Sequence, residues 1–332
     1  MKVQLLRRPA PAERSPLEMA ELPTPEPGDD EILLRVRACG VCHTDLHTVE
    51  GEIAARLPVV PGHQIVGVVE KLGANVDKFT VGERVGVPWL HRTCGACDFC
   101  RTGRENLCER AEFTGFHVNG GYAEFTTVPA DFAVKIPDAF DDEHAAPLLC
   151  AGIVGFRALR LSGIRPQQTL GLYGFGASAH IAIQVAVRWQ CGVFVATRGA
   201  EHQWLAKQLG AAWVGLAENV PDAALDAAVM YAPAGTLVPE ALRALRKGGT
   251  LALGGIYMTP IPELKYELLY RERTIRSVAN ATRDDARQFM QIAAQILVRT
   301  EVETFALDDA NRVLDALKQG KIRGAGVLIV DS

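Results

Sequence analysis

The 332-residue chain is longer than one hydrophobic core usually serves, so two domains are expected. Its 35 basic and 39 acidic residues leave a net charge of −4, which excludes a basic field that would recruit nucleic acid or an anionic membrane and favours a small-molecule partner. The opening stretch MKVQLLRRPAPAERSP lacks the apolar core of a secretory signal, and the longest apolar run, residues 145–156, is too short for a bilayer and carries Pro147. A cytoplasmic protein without a membrane span is therefore expected, and in a reducing compartment its eight cysteines favour metal or redox chemistry over disulfides.

Taken in chain order, the first half reads as strands separated by turns. EPGDDEILLRVRACG turns at Pro27 and Gly28, then alternates Leu34, Val36 and Ala38 against Arg35 and Arg37. VGVVEKLGANVDKFTVGERVGV and GGYAEFTTVPADFAVKIP follow the same pattern. Between these strands ACGVCHTDLH and PGHQIVGVVEKLG carry Cys42, Asp45, His47 and His63, with Cys150 in APLLCAG far away in sequence. Two thiolates and one imidazole leave open the fourth position that catalytic zinc needs. Spacing alone leaves other uses available: Cys150 as a small buried hydrophobe, Cys39 with Cys42 as a redox pair, and His63 as a loop histidine.

The segment TCGACDFCRTGRENLC sets Cys94, Cys97, Cys100 and Cys108 in the pattern C-x2-C-x2-C-x7-C. Four thiolates so spaced close a tetrahedron around zinc with no position for substrate, which points to a structural site. An iron–sulfur cluster takes the same ligands, but nothing else in the sequence suggests electron transfer.

Beyond about Cys150 strands and helices alternate, as in a parallel sheet. TLGLYG, GVFVAT, LDAAVMYA, TLALGGI and TIRSVA read as strands; ASAHIAIQVAVRW, EHQWLAKQLG, LVPEALRALRKGG and residues 284–297 read as helices, and the tail adds one helix and one strand. The first strand runs into GxGxxA: Gly174 for a tight turn, Gly176 for close approach of a pyrophosphate, and Ala179 for helix–strand packing. Anionic phosphate then meets a helix N-terminus. The next strand ends in Thr197 and Arg198, where NAD enzymes usually place an acidic residue. A hydroxyl beside a guanidinium suits the 2′-phosphate of NADP, so NADP is favoured. The competing use of Arg198 is stacking on adenine in an NAD enzyme.

GVCHTDLH, PGHQIVGVVEKLG, the four-cysteine loop, LLCAGIVGFRAL and GKIRGAGVLIV together resemble the zinc-dependent alcohol dehydrogenases of the medium-chain dehydrogenase/reductase family, over nearly the whole chain and in the family's order. The resemblance implies an α/β protein: a β-rich, GroES-like catalytic domain over 1–152, a Rossmann domain with a doubly wound parallel sheet over 153–292, and a segment over 293–332 returning to the catalytic domain, with the active site in the cleft. It implies catalytic zinc on Cys42, His63 and Cys150, with Asp45 orienting a ligand and Cys39 left to core packing. It further implies a proton relay of Thr44 and His47 by way of the cofactor ribose, a pyrophosphate contact from His43, and a substrate pocket lined by Trp89, which read alone is also an ordinary half-buried tryptophan.

One position departs from the family pattern. Glu usually follows the zinc-binding histidine, whereas this chain has Gln64, and a neutral amide assists exchange of metal ligands poorly. The resulting expectation is reversible hydride transfer between an alcohol and an aldehyde or ketone, with two zinc ions per chain and a homo-oligomer, a tetramer among the forms the resemblance allows. An NAD-preferring alcohol dehydrogenase and a non-catalytic dinucleotide-binding sensor are the competing readings.

Overall fold

The structure is a computed structural model and describes residues 1–330. The chain divides into two compact units: Met1–Cys150 with Thr282–Ala294 and the residues from Arg299 onward, and Ala151–Ala281 with Gln295–Val298. The return to the first unit thus begins at Thr282, earlier than the expected position 293. Local capping explains the early return. Thr282 donates from its backbone N and its hydroxyl to Asp285 Oδ2 (2.9 and 2.7 Å), while Arg283 N donates to the buried Glu105 Oε1 (3.1 Å) and its guanidinium lies 4.6 Å from the centre of the Phe132 ring.

The first unit is built on a seven-stranded sheet whose hub is Glu31–Val41. Leu34, Val36 and Ala38 are buried while Arg35 and Arg37 are not, as the alternation predicts. The strand continues past the predicted alternation because it has three partners. It pairs antiparallel with Gln64–Leu72, with Phe125–Pro129 along its first half, and with Ala325–Ile329 along its last. Side chains from these strands form one core with Val3, Leu6, Tyr122 and Leu314. Each fully buried aliphatic chain there contributes roughly 2 kcal/mol of hydrophobic stabilisation.

The second unit holds a six-stranded, wholly parallel sheet in the order Trp213–Gly215, Gly192–Ala196, Thr169–Tyr173, Leu225–Met230, Leu245–Leu253, Thr274–Ser277. Chain order runs outward in both directions from the third and fourth of these, which is the doubly wound arrangement with its switch point beside Thr169–Tyr173. Two details differ from the sequence reading. The helix Val238–Ala244 stops short of the Arg-Lys-Gly-Gly stretch, which belongs to the following strand: Leu245 is buried opposite Leu225, and Gly248 takes φ +74°. The edge strand Trp213–Gly215 is too short to leave a periodic signal.

The helical run Asp142–Ser162 is 21 residues long and apolar enough to cross a membrane, longer than the apolar run read from sequence. Its backbone is broken at Cys150 (φ −127°, ψ −70°), and Leu148, Leu149, Ile153, Phe156 and Leu159 are buried within the protein, so its apolar character is accounted for by core packing.

Candidate active site and metal centres

Strand register brings the first constellation together. Gly40 pairs with Gln64, so Cys42, one residue past one strand, and His63, one residue before the other, emerge at the same end of the antiparallel pair. Cys42 is also the N-cap of the helix His43–Glu50: its Sγ accepts from Thr44 N (3.3 Å), and its own N donates to Asp45 Oδ2 (2.9 Å). Cys150 arrives from a turn whose Leu149 side chain occupies the space a Cβ on Gly86 would fill, 2.5 Å away.

The Cys42 and Cys150 sulfurs and a His63 ring nitrogen lie within 4.8 Å of one another. Cys42 Sγ and His63 Nε2 are 3.5 Å apart, close to the edge of about 3.6 Å that a tetrahedron with Zn–S of about 2.3 Å and Zn–N of about 2.05 Å requires. Asp45 Oδ1 accepts from His63 Nδ1 (2.9 Å) and from Gly62 N (3.2 Å), and both His63 and Asp45 are buried. One carboxylate therefore closes the helix cap and fixes the tautomer that leaves His63 Nε2 facing Cys42. Burial opposes a charge on His63, but Asp45 and Cys42 outweigh it and raise the imidazole to about 10. The Cys42 thiol is held well below its ordinary range, first by its hydrogen bond with Cys150 and then by His63. Zinc binding would displace the proton from His63 and leave two thiolates and one imidazole as three of the four ligands that a tetrahedral ion takes.

Trp89 is buried rather than half-buried. Its ring meets His63 edge-on (centroids 4.8 Å, 76°) and stacks on Phe113 (5.2 Å, 16°), with Phe116 at 5.5 Å. Thr44 is buried in the first helical turn and His43 is exposed. His47 lies one turn on, its ring 6.5 Å from that of His43, with its Nδ1 hydrogen-bonded to Glu52 Oε2. Glu52 carries little signal in the sequence, the Gly51 before it being its one local mark. Cys39 is fully buried among core side chains. Gln64 is buried too, its amide covering Gly40, where a Cβ would stand 3.0 Å from Cδ and Oε1.

The second cluster is local. Cys94, Cys97, Cys100 and Cys108 place their sulfurs within 4.8 Å of one another, with 3.5 Å between Cys97 and Cys100 and 3.9 Å between Cys94 and Cys100. A ZnS4 tetrahedron has edges of about 3.8 Å. Gly95 and Gly103, at φ +68° each, turn the chain around the cluster. The N–H groups of Ala96 and Cys97, together with Arg110, pull the Cys94 thiol down to about 5. All eight cysteines are free.

In the second unit Gly174 sits at φ +87°, where a Cβ would strike Ala232 N at 2.7 Å. Gly176 caps the helix Ala177–Arg188, and a Cβ there would project into open space, the room a phosphate at this N-terminus needs. Ala179 is buried. Gly155 lets a neighbouring helix approach to 3.0 Å between its would-be Cβ and Ser178 O. Thr197 is buried, its N donating to Gly215 O (2.9 Å) and its carbonyl accepting from Gln203 Nε2 (2.8 Å), while Arg198 is exposed.

Two clusters with the ligand set of zinc in the first unit, and a doubly wound sheet with a glycine-rich turn in the second, are the features of a zinc-binding oxidoreductase. The profile of the alcohol dehydrogenase GroES-like domain matches residues 28–138, and that of the zinc-binding dehydrogenases matches residues 179–295. A probable alcohol dehydrogenase of Mycobacterium tuberculosis is 48% identical, covering 99% of this chain and 97% of its own length. An alcohol dehydrogenase of Geobacillus stearothermophilus is 39% identical, covering 96% and 97%. Among solved structures, a cinnamyl alcohol dehydrogenase from Sorghum bicolor superposes with a TM-score of 0.90 at 27% identity, covering 99% and 97%. The chain belongs to the zinc-binding alcohol dehydrogenases of the medium-chain dehydrogenase/reductase family.

Proposed function

We propose that this protein interconverts small alcohols with aldehydes or ketones, using zinc on Cys42, His63 and Cys150 and favouring NADP over NAD, with a second, structural zinc on Cys94, Cys97, Cys100 and Cys108. The observation that carries the reading is the convergence of Cys42, His63 and Cys150, their ligand atoms within 4.8 Å of one another, with Asp45 bonded to the back of His63. When bound, zinc supplies Lewis-acid polarisation of the substrate oxygen and nicotinamide supplies hydride exchange.

The chain's own residues do the rest. Asp45 keeps His63 Nδ1 protonated and its Nε2 free for the metal. Trp89 lies edge-on against His63 with Phe113 and Phe116 packed on its ring, an apolar cluster that favours a hydrocarbon substituent and excludes water. Thr44 and His47 carry the substrate hydroxyl proton outward, and the exposed His43 would offer a contact to a pyrophosphate. Gln64, packed over Gly40, would bring no charge to a bound metal and would assist exchange of its ligands poorly.

The cofactor preference rests on Arg198, an exposed guanidinium at the end of the second strand with no carboxylate beside it in sequence. Reading the clustered cysteines as metal ligands rather than disulfides goes with a cytoplasmic location, and the protein is expected to work as a homo-oligomer. Initial rates with NADPH and NADH over a panel of aliphatic and aromatic aldehydes test this proposal. Faster turnover with NADPH is expected. Faster turnover with NADH would assign Arg198 to adenine stacking, and no turnover with either in zinc-replete protein would favour the dinucleotide-binding sensor.

A further inference from the structure

The end of the helix His43–Glu50 carries a second carboxylate–histidine pair. Gly51 adopts the left-handed conformation (φ 78°, ψ 15°) that terminates the helix, its N–H donating to the His47 and Thr48 carbonyls. The chain then doubles back. Glu52 N and Ile53 N both donate to His47 O, at 3.0 and 3.4 Å, so Glu52 is fastened to the residue it follows by five positions. Its carboxylate reaches the imidazole and takes the hydrogen bond from His47 Nδ1. The neighbouring Glu50 is engaged elsewhere, by Ala12 N and by Lys318.

An ionised carboxylate only accepts, so Nδ1 must be the donor and the neutral imidazole keeps its lone pair on Nε2. His47 is largely sheltered, its side chain 18% exposed, whereas Glu52 is 49% exposed. The pair therefore joins a sheltered base to a solvated anion. We propose that Glu52 is a positioning residue of the proton relay: it locks His47 in the tautomer whose Nε2 accepts the proton and balances the imidazolium that results. During alcohol oxidation the substrate O–H bond breaks and a His47 Nε2–H bond forms. That proton passes on to water while Nδ1–H stays on the ring, held by Glu52. The pair repeats at the relay the arrangement that Asp45 and His63 make at the metal, and it rests on the reading of His47 as a relay residue.

The test uses the zinc-loaded full chain labelled with 15N-histidine. The His47 resonances are identified by their disappearance in His47→Gln, and nitrogen shifts then report which ring nitrogen carries hydrogen. Wild type is expected to show Nδ1–H at His47, and Glu52→Gln, whose amide can donate to Nδ1, is expected to shift the population to Nε2–H. In parallel, kcat for alcohol oxidation is expected to fall about tenfold or more in Glu52→Gln with cofactor KM and zinc content retained, and to recover in Glu52→Asp. An unchanged tautomer, or an unchanged kcat in Glu52→Gln while His47→Gln is slow, would overturn the role of Glu52 and leave the relay standing. Full turnover in His47→Gln would remove the relay itself, and this proposal with it.

Discussion

The two cysteine-rich sites are assembled in opposite ways. Cys94, Cys97, Cys100 and Cys108 lie within one short polar loop, and glycines at positive φ and backbone N–H···S bonds wrap the chain around them. Cys42, His63 and Cys150 span more than a hundred residues and meet only because Gly40 pairs with Gln64 and Leu149 packs against Gly86. The first site brings four thiolates from one loop, enough to fill the coordination sphere of a zinc ion. The second borrows rigidity from a buried sheet and brings three ligands, one short of a tetrahedron. A closed site stabilises; an open, buried and anchored one does chemistry.

The contrast breaks most visibly in paired variants. Cys42→Ser should lower turnover about a thousandfold or more, because several kcal/mol of transition-state charge stabilisation leave with the metal, while dinucleotide affinity is kept. Cys97→Ser should do the reverse, costing about 2 kcal/mol or more of stability, roughly 5 °C in Tm, with activity retained in the surviving folded protein. Steady-state kinetics beside thermal melts separate the two; equal loss of activity and stability in both variants would erase the distinction.

Asp45→Asn sharpens the catalytic half. It removes the charge behind His63 and should reduce zinc affinity or turnover by about 10- to 100-fold, measured by competition with a chelator. A variant that holds zinc as tightly as wild type would make Asp45 a helix cap alone.

His91, on the strand leading into the cysteine loop, supplies a pH effect. Burial lowers its imidazole to about 4, and its Nδ1 has no hydrogen-bond partner among the described residues. The unfolded chain binds a proton at this residue below about pH 6.5 and the folded chain does so only near pH 4, so stability is full above pH 6.5 and declines as the pH falls through that window. The decline attributable to this group is on the order of 3 kcal/mol. Urea unfolding of wild type and His91→Asn between pH 7 and 4 should show a steeper loss for wild type; parallel curves would reject the assignment.

The smallest expected effect lies in the other unit. Arg198→Ala should raise KM for NADPH about tenfold and leave KM for NADH nearly unchanged, the loss of one charge-assisted contact. Equal changes would favour stacking on adenine.

Legibility in the sequence follows the same division. The cysteine loop was readable from spacing because its ligands are neighbours, and the glycine-rich turn was readable because Gly174 and Gly176 sit between a buried strand and a helix. The three-ligand site required the resemblance, since nothing in the local pattern of Cys150 separates it from a buried apolar residue. Glu52 was hidden for another reason: its meaning comes from the left-handed turn at Gly51, and a Gly-Glu pair after a helix is ordinary in sequence. The return of the chain at Thr282 depended on a cap against Glu105, a contact 178 positions away that no periodicity encodes.

Counting zinc per chain in wild type, Cys42→Ser and Cys97→Ser tests most directly the claim that two independent sites divide chemistry from stability. About two ions are expected in wild type and about one in each variant, with only the Cys97→Ser protein still turning over. Loss of both ions from either single variant, or a wild type that holds only one, would contradict it.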